Sequence, residues 1–143
     1  MIRAVLEANV IVSGILTEGV PRRILRAWRS EQFHLAASPA ILDEIGRVLR
    51  YPKIVRRHKW GETEMRAFLE SLEARAILTP GALHLEGAAA GPADERCLEC
   101  AIEGEATCVV TGDCHLLGIA DYRGIEILAP GEFVELLERF RRG

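Results

Sequence analysis

Apolar positions along this chain keep two rhythms that alternate from one end to the other. Short unbroken runs, Ala4 to Leu6, Phe33 to Ala37, Thr107 to Thr111 and Ile125 to Leu128, have the length and boundaries of buried strands. Between them, apolar residues return at helical spacing. Leu6 to Leu16 turns from strand into a short helix, with Asn9 placed as its cap. Pro21 fits the first turn of a helix running to about Ser30, with Ile24, Leu25 and Trp28 inward. Ser38-Pro39 reads as an N-cap followed by proline at the first helical position, opening a helix to about Arg50. Its apolar stripe is Ile41, Leu42, Ile45, Val48 and Leu49. Tyr51-Pro52 breaks that helix, and a basic segment leads to Gly61. Glu62 to Ala76 is helical around Met65, Phe68, Leu69 and Leu72, and Ile77 to Leu85 holds a short strand. Asp94 opens a helix to about Gly104 around Cys97, Leu98, Ala101 and Ile102. A short turn at Leu116-Leu117 and a closing helix from Pro130 through Phe133, Leu136, Leu137 and Phe140 complete the pattern.

Strands alternating with helices imply an α/β fold with a parallel sheet covered on both faces. The chain shows no internal repeat, and its 143 residues are expected to form a single domain, 1–143. An apolar share of 49% and a charged share of 27% are ordinary for a soluble globular protein. No apolar run approaches the roughly 18 residues needed to span a bilayer. Glu7 and Asn9 interrupt any signal-peptide layout, so a cytoplasmic protein without membrane attachment is expected.

Chemistry enters where the strands stop. In open α/β sheets, ligands gather outside the carboxyl ends of the strands. Glu7 and Asp113 each follow such an end. Glu44 lies three residues after Ile41 and four before Val48, at the edge of a buried face. A carboxylate there is costly unless it is solvated in a cleft or bound. Asp94 continues the inner face of its helix one turn before Cys97 and Leu98, although aspartate is also a preferred N-cap. Packed carboxylates repel, and a hard divalent cation relieves the repulsion. Glu7, Glu44, Asp94 and Asp113 are therefore the candidate catalytic ligands of Mg²⁺ or Mn²⁺. Asn9, Ser13 and Thr111 are suited to orient those carboxylates or their waters.

The net charge of −3 does not announce a nucleic-acid binder, but its distribution is uneven. Arg22, Arg23, Arg26 and Arg29 form one basic group; Arg47, Arg50, Lys53, Arg56, Arg57, His58 and Lys59 form another. Either alone reads as a solvated helix face, whereas both beside an acidic crevice would suit a polyanion held across a metal site. Cys97-x-x-Cys100 has no second pair to complete a zinc knuckle, so Cys97, Cys100, Cys108 and Cys114 read as buried free thiols. His34, His58, His84 and His115 show no ligand spacing; His115 stands beside Asp113.

These residues resemble the PIN-domain family, particularly the small prokaryotic PIN proteins of toxin–antitoxin pairs. The resemblance covers nearly the whole chain. It rests on the opening strand with Glu7, Asn9 and Ser13; Ser38-Pro39-x-Ile41-Leu42-x-Glu44; Asp94-x-x-x-Leu98-Glu99-Cys100-Ala101; Val109-Val110-Thr111-Gly112-Asp113; and Leu128-x-Pro130-x-Glu132-Phe133. It implies an α/β/α sandwich and Mg²⁺- or Mn²⁺-dependent cleavage of single-stranded RNA, with Glu7, Glu44, Asp94 and Asp113 as metal ligands. It also implies a homodimer and a cognate antitoxin partner. On this reading Arg22, Arg26, Arg47, Arg50, Arg56 and Arg57 are candidate RNA contacts.

Three departures stand out. The family's usual Asp-Thr-Asn is here Glu7-Ala8-Asn9; Gly91 and Ala93 stand where relatives often carry further aspartates; and His115 replaces a common acidic residue. The lengthened Glu7 side chain points to a weakened or retuned site, because Mg²⁺ demands near-ideal octahedral contacts. The alternative function is a catalytically weak or inactive PIN-fold module that binds RNA or protein. A phosphoacceptor receiver is disfavoured because no acidic pair follows the first strand and the last strand has no lysine. A dinucleotide-binding domain is disfavoured because no GxGxxG follows the first strand.

Overall fold

Strand β1 (Arg3–Leu6) runs through the middle of a six-stranded sheet. In the computed structural model, which describes residues 1–142, β1 pairs in parallel with β2 (His34–Ala37) on one side and β4 (Cys108–Val110) on the other. Ala4 faces Leu35 across one ladder and Cys108 across the other. The outer strands are β3 (Ile77–Leu78), parallel to β2, and β6 (Ile125–Leu128), parallel to β4. Ala4, Val5 and Leu6 are all buried although successive strand residues point to opposite faces. Helices therefore cover the sheet on both sides, giving the three-layer α/β/α sandwich.

Helix α1 (Ala8–Leu16) follows β1 with only Glu7 between, and α2 (Val20–Arg29) returns the chain to β2. α1 packs against α2 and against α3 (Pro39–Leu49), whose Ser38 cap accepts the Ile41 N–H at 3.3 Å. A short α4 (Pro52–His58) and the longer α5 (Glu62–Arg75) precede β3. α6 (Pro92–Glu103) packs on β1, β2 and β4. After β4 come the single turn α7 (Cys114–Leu117), the edge strand β5 (Asp121–Tyr122) and α8 (Pro130–Arg142), which packs on β6 and α2. None of the described helices is long and apolar enough to cross a membrane.

Several local expectations change. Asn9 does not cap α1: the non-helical N-cap position falls on Glu7 (φ −61°, ψ 146°), so Asn9 is already within the first turn and exposed. Asp94 is no cap either, because Pro92, with its φ preset for a helix, starts α6 after Gly91. The basic segment after Tyr51 is helical, beginning at Pro52 and ending where Lys59 takes a left-handed conformation (φ 59°). The sheet is not wholly parallel. β5 pairs antiparallel with β6 through Arg123 and Gly124, both at positive φ, as a two-residue hairpin turn requires. Cys97, Cys100 and Cys108 are buried free thiols, but Cys114 is exposed.

The irregular segment from Thr79 to Gly91 is held onto α6 by glutamates one helical turn apart. Glu103 accepts the N–H groups of Gly81, Ala82 and Leu83 at 3.0–3.1 Å. Glu99 accepts that of Leu85 at 2.7 Å, and Glu95 that of Ala88 at 3.1 Å. This ladder lies along the same helix that carries Asp94.

Candidate metal centre

From β1 the chain moves outward to β2 and β3, then crosses back to lay β4 on the opposite side of β1. The carboxyl ends of β1 and β4 thus flank the switch point of the sheet, where open α/β folds form their crevice. Glu7 leaves β1 there, its N–H still bonded to the Val110 carbonyl at 3.0 Å. Thr111 and Asp113 leave β4 beside it.

Thr111 ties these two exits together. Its buried hydroxyl donates to Glu7 Oε2 at 3.0 Å and accepts the Asp113 N–H at 2.9 Å. Asp113 spends Oδ1 as the cap of α7, accepting the His115 and Leu116 N–H groups at 2.7 and 3.2 Å. Among the described residues no protein group donates to its Oδ2. Asp94, in the first turn of α6, is buried, and Glu44 on α3 is half-buried.

Burial pushes the Glu7 carboxyl above its ordinary range. The Thr111 hydrogen bond opposes this, while the negative charges of Asp94, Asp113 and Glu44 add to it. Asp94 is also raised, by burial and by Asp113, with His115 acting the other way. Cys97, buried beneath the group, has its thiol pushed far up by burial and then by Glu7. Glu7 thus lies within the field of Asp94, Asp113 and Glu44, and Asp94 within that of Asp113. None of them forms an ion pair with a Lys, Arg or His among the described residues.

A cleft of 310 Å³ opens over Glu7 and Asp113, walled by Asn9, Val10, Ser13, Pro21, Gly112 and Pro130. Asn9 and Ser13 thus share a wall one helical turn apart, while Glu44 and Asp94 lie outside the lining. Among the described residues, no three His, Cys, Asp or Glu side chains close on one point tightly enough to form a ready cation cage. Mg²⁺ keeps several waters and binds through one or two carboxylates, so it asks for fewer protein ligands than a closed cage. Hard oxygen donors that share an unneutralised negative field beside a polar cleft suit such an ion. Pro21, Gly112 and Pro130 were read from the sequence as helix starts or motif positions and not as residues of the site, because they contribute shape and backbone rather than a titratable group.

The basic candidates divide. Arg22 caps the end of α1, donating to the Gly14 and Ile15 carbonyls at 3.1 and 2.8 Å and to Glu18. Arg50 is held by Glu62 at 2.6 Å and by the Gly46 carbonyl at 2.9 Å. Both are committed to the fold. Arg26 is exposed and only 3.8 Å from Glu18, while Arg47, Arg56 and Arg57 are exposed without a carboxylate partner among the described residues.

Comparison with known proteins gives this geometry its family. The PIN domain model matches residues 3–115, from the start of β1 into α7. The chain belongs to the PIN-domain family. PIN domains are generally nucleases that use divalent metal ions. This PIN domain is 25% identical over 148 residues to an uncharacterized protein of Methanocaldococcus jannaschii, covering 97% of this chain and 94% of that one. Its fold is similar to a chain in the crystal structure of VapBC2 from Rickettsia felis bound to a DNA fragment from their promoter. The TM-score is 0.59 at 14% identity, over 90% of this chain and 98% of the other. That likeness concerns the fold alone.

Proposed function

We propose that this PIN domain is a metal-dependent endoribonuclease that cleaves single-stranded RNA, using Mg²⁺ or Mn²⁺ held by Glu7, Glu44, Asp94 and Asp113. The observation that carries the reading is the Glu7–Thr111–Asp113 linkage at the switch point of the sheet, with two further carboxylates inside its field. A bound divalent ion supplies Lewis-acid activation of water and neutralises charge on a phosphodiester. Thr111 fixes the direction of Glu7, and the α7 cap fixes Asp113 with Oδ2 left over. Asn9 and Ser13 offer hydrogen bonds to a phosphate or water entering the cleft. Exposed Arg26, Arg47, Arg56 and Arg57 supply positive charge for the RNA backbone.

The VapBC2 likeness supports a place in a toxin–antitoxin pair, in which a cognate antitoxin protein silences the nuclease. Action as a homodimer in the cytoplasm completes the reading. The decisive test is cleavage of a mixed-sequence single-stranded RNA with Mn²⁺, Mg²⁺ or EDTA. Metal-dependent cutting is expected from this protein, lost in Asp113→Asn and raised in Glu7→Asp. Undiminished cutting by Asp113→Asn would remove Asp113 from the site.

A second reading is a binding module without turnover, holding RNA or a protein partner. It is favoured by the glutamate at position 7 and by the lack of three tightly converging ligands. Failure of all three proteins to cut, with RNA binding retained, would select it.

A further inference from the structure

Beyond the acidic cleft, a groove of 280 Å³ is lined by Gly14, Ile15, Arg22, Leu25, Arg26, Arg29 and Trp60. We propose that it is a nucleotide subsite for the single-stranded substrate: Trp60 stacks one base while Arg26 and Arg29 hold the adjoining phosphates. The inference rests on the RNA-cleaving reading and extends it to where the strand runs.

Charge is the first support. Arg22, Arg26 and Arg29 are spaced four and three residues apart on α2, so they share one face. Arg22 is consumed by the end of α1 and by Glu18. Glu18 also stands 3.8 Å from Arg26, whose side chain is 66% exposed, and no carboxylate pairs with Arg29 among the described residues. The groove therefore carries more positive charge than the fold neutralises. An anionic strand complements it, and an acidic site on the same molecule gives that strand a destination.

The aromatic group is the second support. Trp60 is half-buried and lines the groove, and its ring makes tilted contacts with His58 and Phe68 at centroid distances of 5.3 and 5.8 Å. Its backbone N–H donates to His58 Nδ1 at 2.8 Å, and His58 Nε2 in turn donates to the Leu49 carbonyl at 2.9 Å. A ring so fixed loses little freedom when a base stacks on it, and every base offers a π-face. The volume lies just below the roughly 300–1,000 Å³ of small-molecule sites, which suits a single base.

Continuity is the third. The cleft is walled by Ser13 and Pro21, and the groove by their chain neighbours Gly14 and Arg22. Both openings therefore border the junction of α1 and α2, and one extended strand passes from one to the other.

The test is binding of a labelled single-stranded RNA of about 12 nucleotides, within the footprint of single-strand binders. It is followed in EDTA by anisotropy and tryptophan fluorescence. Trp28 is buried, so quenching on binding is expected from Trp60 and is expected to vanish in Trp60→Phe. The pair Arg26→Ala with Arg29→Ala should bind about tenfold more weakly, with a salt slope shallower by about 1.4 for two lost phosphate contacts. Trp60→Leu should weaken binding about fivefold or more. If that variant fails to fold, the arginine pair and the quenching still decide. No binding by the unmodified protein, no quenching, or equal affinity in the arginine variant overturns the subsite. Binding in EDTA without cleavage in Mn²⁺ overturns the nuclease and leaves the subsite standing. Cleavage with unchanged variant affinities overturns the subsite alone and turns the groove over to a protein partner.

Discussion

Thr111 does with one hydroxyl what two residues would otherwise have to do. It steers the Glu7 carboxylate and anchors the backbone of Asp113, so the ends of β1 and β4 are coupled through a single buried side chain. Thr111→Val keeps the shape and removes both bonds, leaving the Asp113 N–H without its acceptor. The expected cost is about 1–3 kcal/mol of stability, read by urea denaturation. Glu7 carries a second prediction. Burial, reinforced by Asp94, Asp113 and Glu44, raises its pKa. Between the ordinary glutamate value and the raised one, the native state keeps a proton that the unfolded chain has released. Stability of the metal-free protein therefore falls as pH rises through that window. Glu7→Gln should be the more stable protein above the window and should lose this component of the pH dependence. Melting temperatures of the two proteins across pH 4 to 8, measured in EDTA, check it; parallel curves would mean that Glu7 is not the strained group.

At the scale of elements, α1 depends on how closely it approaches α2. A Cβ built on Gly14 would lie 2.6 Å from Leu25 Cδ1 and 2.8 Å from the Pro21 carbonyl, and a backbone carbonyl yields less readily than a side-chain tip. Gly14→Ala should cost about 1–3 kcal/mol through overpacking, measurable as a lowered denaturation midpoint. Ser13 and Pro21 flank this contact and also wall the acidic cleft, so the same change is expected to disturb the site. Most of the helices and the central strands were legible as patterns: the stripe of α3, the proline that opens α2 and the apolar runs of β1 and β4. β5 was not, because a two-residue edge strand has no periodicity, and its pairing is made by the Arg123-Gly124 turn. Asn9 was misread as a cap, since a capping preference says nothing about whether a neighbouring Glu7 has already started the helix; the capping role left open for Asp94 falls instead to Gly91, ahead of Pro92. Glu44 and Asp94 could be placed on inner helix edges from spacing alone. The Thr111 linkage could not, because it joins residues 104 positions apart.

The whole molecule arranges burial against charge. Its central strands are sealed on both faces, yet Glu7 and Asp94 are buried beside that interior without an ion-pair partner among the described residues. Such an arrangement is destabilising on its own terms, and a divalent ion is the simplest partner that converts it into a gain. Saturation to about 100 times the dissociation constant would stabilise the fold by roughly 2.7 kcal/mol. For a chain of this size that is a rise of roughly 10 °C in melting temperature. The rise should be reached in millimolar Mn²⁺ or Mg²⁺, and it should be smaller near pH 5, where protons compete for the same carboxylates. It should be largely absent in Asp113→Asn, while Arg26→Ala, outside the carboxylate cluster, should keep it. Thermal melts of the three proteins across a divalent titration separate the readings without any RNA. A metal-dependent rise confined to chains with an intact Asp113 is the nuclease outcome. A flat response in all three would mean that the carboxylates are answered by something other than a small cation, and the binding module would then be the better account of the fold.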